Sequence, residues 1–485
     1  MSPYPGGRAL PDVLSHYVGI ALEHVRTIRL IDNVNFSGQV FPHAIDPRRV
    51  LDLYPLEPGY TTLDASFELG SVIRHLETVR LATAEPARAR TFQRWMALAG
   101  AGVSNSGCTG VIHQVVAALL ELPSEKFPRQ NLAPEIVVPL PCYSVFPIQM
   151  GYFHGRVKPA WVISRREDDF MPRFADLRAA VTDRTIAIML PYPTNPSMAT
   201  YERERLDDLR STIRFCQEQG IFLIADNIFQ DMLVPERGRR FEEIFLHADG
   251  LDWMVKIYGP SKDVPFFGGY RMGYWIGDPR LSSGFRASAG ISNTGVNTLS
   301  LILFAFHLYF RSLRLTGKQP ILDDMGFFAD TVFGCTSIMN KICRVASHRK
   351  LFDGPMLFER LVSLDLYGSY RRDMARTEDL LAGALGRLKR FAAGSPAFSD
   401  VVNHDIGSVM FLRANPEVFP GDDDELFHLA LRQGKLGILP GSGFGLERRA
   451  GEAWFRITTT HAPIDEILAD LADLEGVLLR DRAAR

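Results

Sequence analysis

The middle of the chain alternates between short apolar runs and longer segments with helical periodicity. The runs are rich in β-branched residues and are bounded by Pro or Gly, which is typical of buried parallel strands. They cover residues 134–141, 185–193, 221–229 and 253–259. A helical pattern over 203–220 separates the second and third runs and ends at Gly220. This alternation predicts an α/β domain with a mostly parallel sheet.

The C-terminal part has a different pattern, in which helices and strands are mixed without the regular alternation. The predicted elements are an amphipathic helix over 371–391, a strand over 407–413, a helix over 424–433, a turn over 440–445, a strand over 453–460 and a closing helix. They indicate a smaller α+β domain, with which the first 60 or so residues are expected to pack. The predicted organisation is an N-terminal segment 1–60, a large domain 61–345 and a small domain 346–485.

Length and composition narrow the class of protein. A chain of 485 residues is too long for one hydrophobic core, so two or three domains are expected. A formal net charge of −2 does not favour a general nucleic-acid or membrane binder. The apolar stretch 297–310 is shorter than a membrane span and contains His307, which favours a buried helix. The N-terminus lacks the pattern of a signal peptide.

Cysteine and histidine spacing gives no sign of a metal or disulfide framework. The five cysteines, Cys108, Cys142, Cys216, Cys335 and Cys343, are odd in number, and no pair has the C-x-x-C spacing. The twelve histidines form no H-E-x-x-H motif. We therefore expect reduced thiols in a cytoplasmic protein and no metal site.

Candidate chemistry lies just beyond the predicted strands, because open α/β sheets bind ligands at the carboxyl ends of their strands. Asp226 ends the third run, where a buried and unpaired carboxylate would be costly. The other candidates are Gly107, Cys108 and Thr109 at the start of a helix, Tyr143 after the first run, Asn195 after the second, Ser261, Lys262 and Arg271 after the fourth, and Arg456 in a late strand.

This ordered set, from Gly107 to Arg456, resembles the fold-type I enzymes of the aminotransferase class I/II family, which depend on pyridoxal 5′-phosphate (PLP). The resemblance implies an α/β PLP-dependent transferase fold, aspartate-aminotransferase-like. That fold has a large domain with a mostly parallel sheet and a smaller α+β domain. The large PLP-binding domain would be 61–345.

The resemblance also implies a role for each residue toward the cofactor. Lys262 would hold PLP as a Schiff base and move a proton at the substrate Cα. Lys256 is a rival, but it lies inside the strand run and lacks the preceding Ser. Asp226 would pair with the pyridinium nitrogen, and Asn195 would donate a hydrogen bond to the phenolate oxygen.

The remaining candidates would bind the phosphate, the ring and the substrate. Gly107, Cys108 and Thr109 would bind the phosphate at a helix N-terminus, completed by Ser261 and Arg271. Tyr143 would stack on the pyridine ring. Arg456 would bind the α-carboxylate of an α-amino acid substrate through a bidentate fork.

Three segments depart from the family pattern. Phe229 stands where many relatives carry a tyrosine that bonds the phenolate oxygen, and Tyr258 is one possible substitute. Extra length falls around 311–370 and is either a lid, an extended dimer contact or, as we favour, a passive elaboration. In 32–43, Asn35, Phe36 and Gly38 are candidates for substrate contact, and Tyr60 is a candidate to reach the phosphate of a neighbouring subunit.

The function expected first is an aminotransferase. The main alternative is another PLP reaction on an α-amino acid: β- or γ-elimination, replacement or C–C bond formation. Such a reaction could use S-adenosylmethionine in a specialised biosynthetic pathway. A regulatory module without turnover is disfavoured because the first 60 residues contain no evident helix-turn-helix. The resemblance implies a cytoplasmic homodimer with a small-molecule substrate and no nucleic-acid or membrane partner.

Overall fold

The structure is a computed structural model that describes residues 16–17, 19–20, 23–24, 27–32, 34–51, 53, 61–122, 133–143, 145–202, 205–232, 241–293, 295–332 and 354–485. By its internal contacts the chain divides into two compact units. Unit 1 comprises Met1–Phe41, Glu125–Glu242 and Thr377–Arg485, and unit 2 comprises Pro42–Ser124 and Glu243–Arg376. The domain boundaries proposed from the sequence stay a prediction.

The strands are short and their interiors are mostly buried. They are β1 Arg29–Leu30, β2 Gly100–Ser104, β3 Glu135–Leu140, β4 Lys158–Ile163, β5 Thr185–Pro191, β6 Phe222–Asp226, β7 Met254–Tyr258, β8 Gly273–Gly277, β9 Phe398–Val402, β10 Val409–Ala414, β11 Leu436–Gly437, β12 Leu439–Pro440 and β13 Trp454–Thr458. The four apolar runs of the sequence correspond to β3, β5, β6 and β7, so their prediction as strands is confirmed.

The helices vary from a single turn to eight turns. They are α1 Pro47–Leu51, α2 Ser66–Ala84, α3 Ala89–Leu98, α4 Gly107–Glu121, α5 Val145–Tyr152, α6 Phe174–Ala179, α7 Leu206–Gln219, α8 Ile244–His247, α9 Ser282–Asn293, α10 Thr298–Thr316, α11 Leu322–Phe327, α12 Gly354–Ser363, α13 Leu366–Gly394, α14 Asp423–Leu429 and α15 Ile464–Ala484. The predicted helix over 203–220 is α7, which ends at Gly220 in a left-handed conformation.

Unit 1 contains three of the four predicted strands, β3, β5 and β6, together with β4. These strands lie in the order β6-β5-β3-β4, and each neighbouring pair is parallel. Pro191 at the end of β5 pairs with Asp226 at the end of β6, so these two strands finish at the same level. The polar residues that follow β5 and β6 therefore emerge side by side.

Unit 1 also contains the predicted C-terminal strands and helices. An antiparallel sheet has the order β12-β13-β10-β9, and β1 pairs in parallel with β11. A continuous apolar core joins Ile31, residues of β10 and β13, and the inner face of α15, with Leu471 and Leu474 fully buried. The N-terminal residues 29–31 thus pack on the C-terminal elements.

Unit 2 contains three antiparallel strands, because β8 pairs with both β2 and β7. The apolar stretch 297–310 is a buried helix, as predicted, although α10 extends to Thr316. By length and composition α10 could cross a membrane, but 72% of its apolar window is buried inside the protein, as in the core helix of a soluble protein. His307 on α10 lies in this interior.

A cluster of buried charges holds β7 to the helices of unit 2. The ammonium of Lys256 donates to Glu77 Oε2 at 2.6 Å and to Glu243 Oε2 at 2.7 Å, and all three side chains are almost fully buried. Tyr274 of β8 donates to the same Glu77 carboxylate. These ion pairs hold the Lys256 side chain in the core, so we assign Lys256 a structural role.

Replacing Lys256 by Met tests that assignment. The change removes the cation that both buried carboxylates share, while Arg80 Nε stays 3.5 Å from Glu77 Oε1, and we expect it to lower the free energy of unfolding by about 3–5 kcal/mol. Urea denaturation followed by circular dichroism measures the difference. The exposed lysine Lys318 of the same unit provides the control, since Lys318→Met should change the stability by less than about 0.5 kcal/mol. Equal stabilities of the two variants would contradict a structural role for Lys256.

Candidate active site

The first turn of α4 in unit 2 has the features of an anion site. Gly107 begins the helix with a positive φ of 68°, and no side chain caps the helix at Ser106. The Gly107 amide donates to the Arg271 carbonyl at 2.8 Å, and Arg271 Nη2 donates to the Ser106 carbonyl at 3.0 Å. The structure therefore brings the predicted residues Gly107 and Arg271 together. Backbone amides, a helix dipole and a guanidinium at one point favour a phosphate.

Two glycines that the sequence analysis did not select make this arrangement possible. A Cβ on Gly259, just after β7, would lie 2.7 Å from Cys108 Sγ. A Cβ on Gly273, at the start of β8, would lie 2.7 Å from the Cys108 amide nitrogen. The first turn of α4 therefore rests directly against the ends of two strands. The signal in the sequence was a glycine at each strand end, where close backbone approach is common.

Lys262 and Ser261 lie in the turn that follows β7, and both are half-buried. The turn is fixed by the Val264 amide, which donates to the Pro260 carbonyl at 3.0 Å. The buried carboxylate of Asp263 accepts a hydrogen bond of 2.8 Å from Tyr258 Oη. The hydroxyl of Tyr258, considered above as a substitute for the missing tyrosine, thus bonds to the residue next to Lys262.

Asp226, the last residue of β6, is a buried carboxylate with 6% exposure. Its Oδ1 accepts a hydrogen bond of 3.3 Å from the Ile228 amide, and no cationic side chain among the described residues forms an ion pair with it. Burial raises the pKa of the Asp226 carboxyl to about 7. An ionised carboxylate at this depth calls for a cation, which the ring nitrogen of PLP supplies when protonated.

Asn195 lies in the loop after β5, and this loop is tied to the end of β6. The Tyr192 amide donates to the Asp226 carbonyl at 3.1 Å, and Asn227 Nδ2 donates to the Tyr192 carbonyl at 2.7 Å. Asn195 is buried, and its Oδ1 accepts a hydrogen bond of 2.8 Å from Arg456 Nη1. Asn195 and Arg456, both predicted from the sequence, are therefore in direct contact.

Arg456 projects from β13, and its guanidinium has a second partner that the sequence analysis missed. Nε lies 3.1 Å from both carboxylate oxygens of Asp32, and Nη2 lies 3.0 Å from Asp32 Oδ2. The Arg456 and Asp32 side chains are only 9% and 4% exposed. The guanidinium carbon also lies 4.8 Å from the centre of the Phe444 ring. Asp32 and Arg456 are 424 positions apart, so no local motif linked them.

The other candidates of unit 1 are placed as follows. Tyr143 follows β3, is half-buried and has its ring 6.0 Å from that of Phe146. Phe229 is buried in an apolar cluster with Phe36, Met198 and other residues, which explains the absence of a hydroxyl there. Asn35 and Gly38 are exposed. Of the candidates in unit 2, Tyr60 and 333–353 lie outside the described residues.

Each group by itself suits one part of PLP. In unit 2 the α4 N-terminus with Arg271 suits a phosphate, and in unit 1 the buried carboxylate of Asp226, which forms no ion pair with a described side chain, suits a pyridinium. Within the described residues, one group of possible metal ligands occurs, His16, Asp424 and His428; it is partly exposed and includes no residue selected above.

Comparison with known proteins gives the same family. The model of the family "Aminotransferase class I and II" matches residues 103–304. A probable aspartate/prephenate aminotransferase of Aquifex aeolicus is 35% identical over 96 residues, 20% of this chain and 23% of that protein. The aspartate aminotransferase of Bacillus sp. strain YM-2 is 25% identical over 170 residues, 35% of this chain and 42% of its own length. The aligned segments thus span less than half of these curated relatives.

Solved structures extend the likeness to the whole chain at the level of the fold. An aminotransferase from Escherichia coli has a TM-score of 0.66 at 17% identity and covers 98% of this chain and 96% of its own. The aromatic aminotransferase from Pyrococcus horikoshii has a TM-score of 0.62 at 16% identity and covers 96% and 99%. The predicted aspartate-aminotransferase-like fold is therefore confirmed.

Members of this family are PLP-dependent enzymes, in agreement with the cofactor that the sequence predicts. Residues 103–304 thus match the aminotransferase class I and II family, and the chain as a whole has the fold of solved aminotransferases.

Proposed function

We propose that the protein is a PLP-dependent aminotransferase that takes the amino group of an α-amino acid, with Lys262 holding the cofactor as a Schiff base. The observation that carries the proposal is Asp226: a buried carboxylate at a strand end, with a raised pKa and no cationic partner in the described part of the chain. The names of the aligned relatives, among them aspartate and LL-diaminopimelate aminotransferases, support amino-group transfer.

The residues that would hold the cofactor follow from the geometry of each group. Gly107, whose own amide donates to the Arg271 carbonyl, would let the phosphate approach the backbone, and the amides of Cys108 and Thr109 would bind it at the α4 N-terminus, together with Ser261 and Arg271. Tyr143 would stack on the ring, Asn195 would bond the phenolate oxygen, and Asp226 would pair with the ring nitrogen. When bound, PLP supplies an electron sink for the electron pair left at the substrate Cα.

The chain itself supplies the base and the orientation. The Nζ of Lys262 would take the proton from the substrate Cα and return a proton later in the reaction. The Tyr258–Asp263 hydrogen bond fixes the backbone beside Lys262 and so limits the positions that Nζ can reach. Arg456 would orient the substrate through its carboxylate, and Asn195 fixes the guanidinium in turn.

We further propose a cytoplasmic homodimer that acts on a small molecule without a nucleic-acid or membrane partner. The near-neutral net charge of −2 supports a protein that is not a general binder of polyanions. The elaboration over 311–370 is proposed to be passive.

A single-turnover experiment tests the proposed reaction. The PLP-loaded protein is mixed with one L-amino acid at a time, without an acceptor, and 2-oxo acid release and the visible absorption of the cofactor are recorded. We expect at most one 2-oxo acid per active site, together with a change of the visible spectrum that pyruvate or 2-oxoglutarate reverses. Continued product formation without an acceptor would instead support elimination or replacement, the alternative reaction class. The absence of any visible cofactor band would contradict PLP binding.

Reduction with sodium borohydride locates the cofactor lysine. We expect mass spectrometry of the reduced protein to find the cofactor on the peptide that contains Lys262. Lys262→Ala should lose this label and lower kcat by at least about 1000-fold, because it removes both the anchor and the base. Lys158→Ala, at an exposed lysine of β4, is the control and should keep the label and the activity. A label on any other lysine would overturn the assignment.

Asp226→Asn should have opposite effects on the cofactor-free and the cofactor-loaded protein. The Asp226 pKa is about 7 in the folded chain against 3.8 when exposed, so the folded chain holds an extra proton between these values. The contribution of Asp226 to the free energy of unfolding is thus fully present below about pH 4 and is lost as the pH rises through about 7. Asn stays neutral, and the cofactor-free variant should be more stable than wild type at pH 8, by up to about 4 kcal/mol, but not at pH 4.

The same substitution should weaken PLP binding by about 10–100-fold, because the pyridinium loses its counter-ion. Asp423 is the matched control: it is a buried carboxylate of unit 1 whose pKa burial raises to about 6, and it accepts a hydrogen bond from the Ser442 amide. Asp423→Asn should leave PLP affinity unchanged. Urea denaturation at both pH values and equilibrium titration with PLP measure these quantities. Unchanged PLP affinity in Asp226→Asn would contradict the pairing.

A further inference from the structure

The guanidinium of Arg456 is already engaged at all three nitrogens. Nε and Nη2 face the carboxylate of Asp32, and Nη1 faces Asn195 Oδ1. The contact with Asp32 is the bidentate arrangement by which arginine binds a carboxylate. The carboxylate of Asp32 therefore occupies Nε and Nη2 of Arg456. Under the proposed function, Arg456 is the residue that would bind the carboxylate of the substrate.

Asp32 is held in this place by its backbone. The preceding residue, Ile31, is fully buried, and its amide donates to the Gly437 carbonyl at 3.1 Å. The Ile31 carbonyl accepts a hydrogen bond of 3.2 Å from the Thr458 amide, two residues beyond Arg456 on β13. The segment that carries Asp32 is therefore fixed to the strand that carries Arg456. Asp32 is a built-in partner of the guanidinium.

The pairing changes what Arg456 can attract. An isolated buried guanidinium would favour any carboxylate, whereas the Arg456–Asp32 pair has no net charge. A substrate carboxylate that bonds to the remaining N–H groups must lie near the carboxylate of Asp32, and like charges repel strongly where water is excluded. Asn195 is neutral and does not offset this repulsion. The pair can still orient a polar group by hydrogen bonds.

We propose that Asp32 is a specificity-determining residue that weakens selection for an α-carboxylate, so that the enzyme accepts primary amines without one as well as α-amino acids. The inference rests on the proposed function, because it concerns the compound whose amino group is transferred. It names a wider substrate class than Arg456 alone implies.

Matched pairs of donors test the proposal in the PLP-loaded enzyme. L-phenylalanine is compared with 2-phenylethylamine, and L-leucine with 3-methylbutylamine, each pair differing in the carboxylate alone. We expect the wild-type kcat/KM values within a pair to agree within about tenfold. Asp32→Asn should favour the amino acid by at least about a further tenfold, mainly through a lower KM, because the guanidinium becomes a net cation. A wild-type preference for the amino acids of about 1000-fold, or a shift toward the amines in Asp32→Asn, would overturn the proposal.

Asp400 provides the matched control. It accepts a bidentate pair from Arg166 in the same unit, at 2.5 and 2.6 Å, without contact to Arg456 or Asn195. Asp400→Asn breaks a comparable bidentate ion pair. It should leave the ratio of kcat/KM for the amino acid to that for the amine unchanged within each donor pair. An equal shift in both variants would show a general loss of structure and would overturn a specific role for Asp32.

An equilibrium measurement separates this inference from the proposed reaction. Calorimetry with 3-phenylpropionate, which has a carboxylate and no amino group, should show at least about tenfold tighter binding to Asp32→Asn than to wild type. Equal or weaker binding would overturn the inference whether or not the enzyme transfers amino groups. If neither donor class is turned over but the binding difference is found, the proposed function fails and the role of Asp32 stands. Should Asp32→Asn not fold, Asp32→Ser and the wild-type donor ratios decide the question.

Discussion

A charged side chain that is removed from water needs a partner of opposite charge, and this constraint organises both units of the protein. Lys256 meets two glutamates in unit 2, and Arg456 meets Asp32 in unit 1. Asp226 differs from these pairs, because its described partner is the neutral amide of Ile228 and its pKa is raised to about 7 by burial. The unmatched carboxylate is thus the group that a cationic ligand would complete, and the paired charges are the ones that hold the fold.

The second constraint is close approach at the start of α4. A phosphate can be bound by backbone amides only where the helix end is not covered by side chains. Gly259 and Gly273 let this helix end rest on the strand ends, while Gly107 leaves room for the guanidinium of Arg271 beside it. Any larger residue at the two strand positions would push the first turn away. The glycines therefore position the helix N-terminus, and the arginine adds charge to it.

The sequence predicted the structure best where a local pattern of neighbouring residues is sufficient to identify an element. The parallel strands β3, β5 and β6 are continuous apolar runs, since both faces of such strands are buried, and the residues at their ends could be read directly. The strand β2 was missed because glycines and small residues interrupt its apolar run, and β8 because its apolar run between two glycines is three residues long. Asp32 was missed for another reason: its partner is 424 positions away, and neither residue is unusual in its local segment. Pairing across such a distance is a property of the folded chain.

Arg456 shows why the identity of a residue does not by itself define its function. The family resemblance indicates a receptor for carboxylates, and its position on β13 beside Asn195 agrees with that role. Its electrostatic environment does not, because Asp32 cancels the charge on which long-range attraction of an anion depends. What remains is a planar group fixed between a carboxylate, an amide and the face of Phe444. Under the proposed function such a group would orient a ligand that other contacts have bound, and selection among amino compounds would then depend on those contacts.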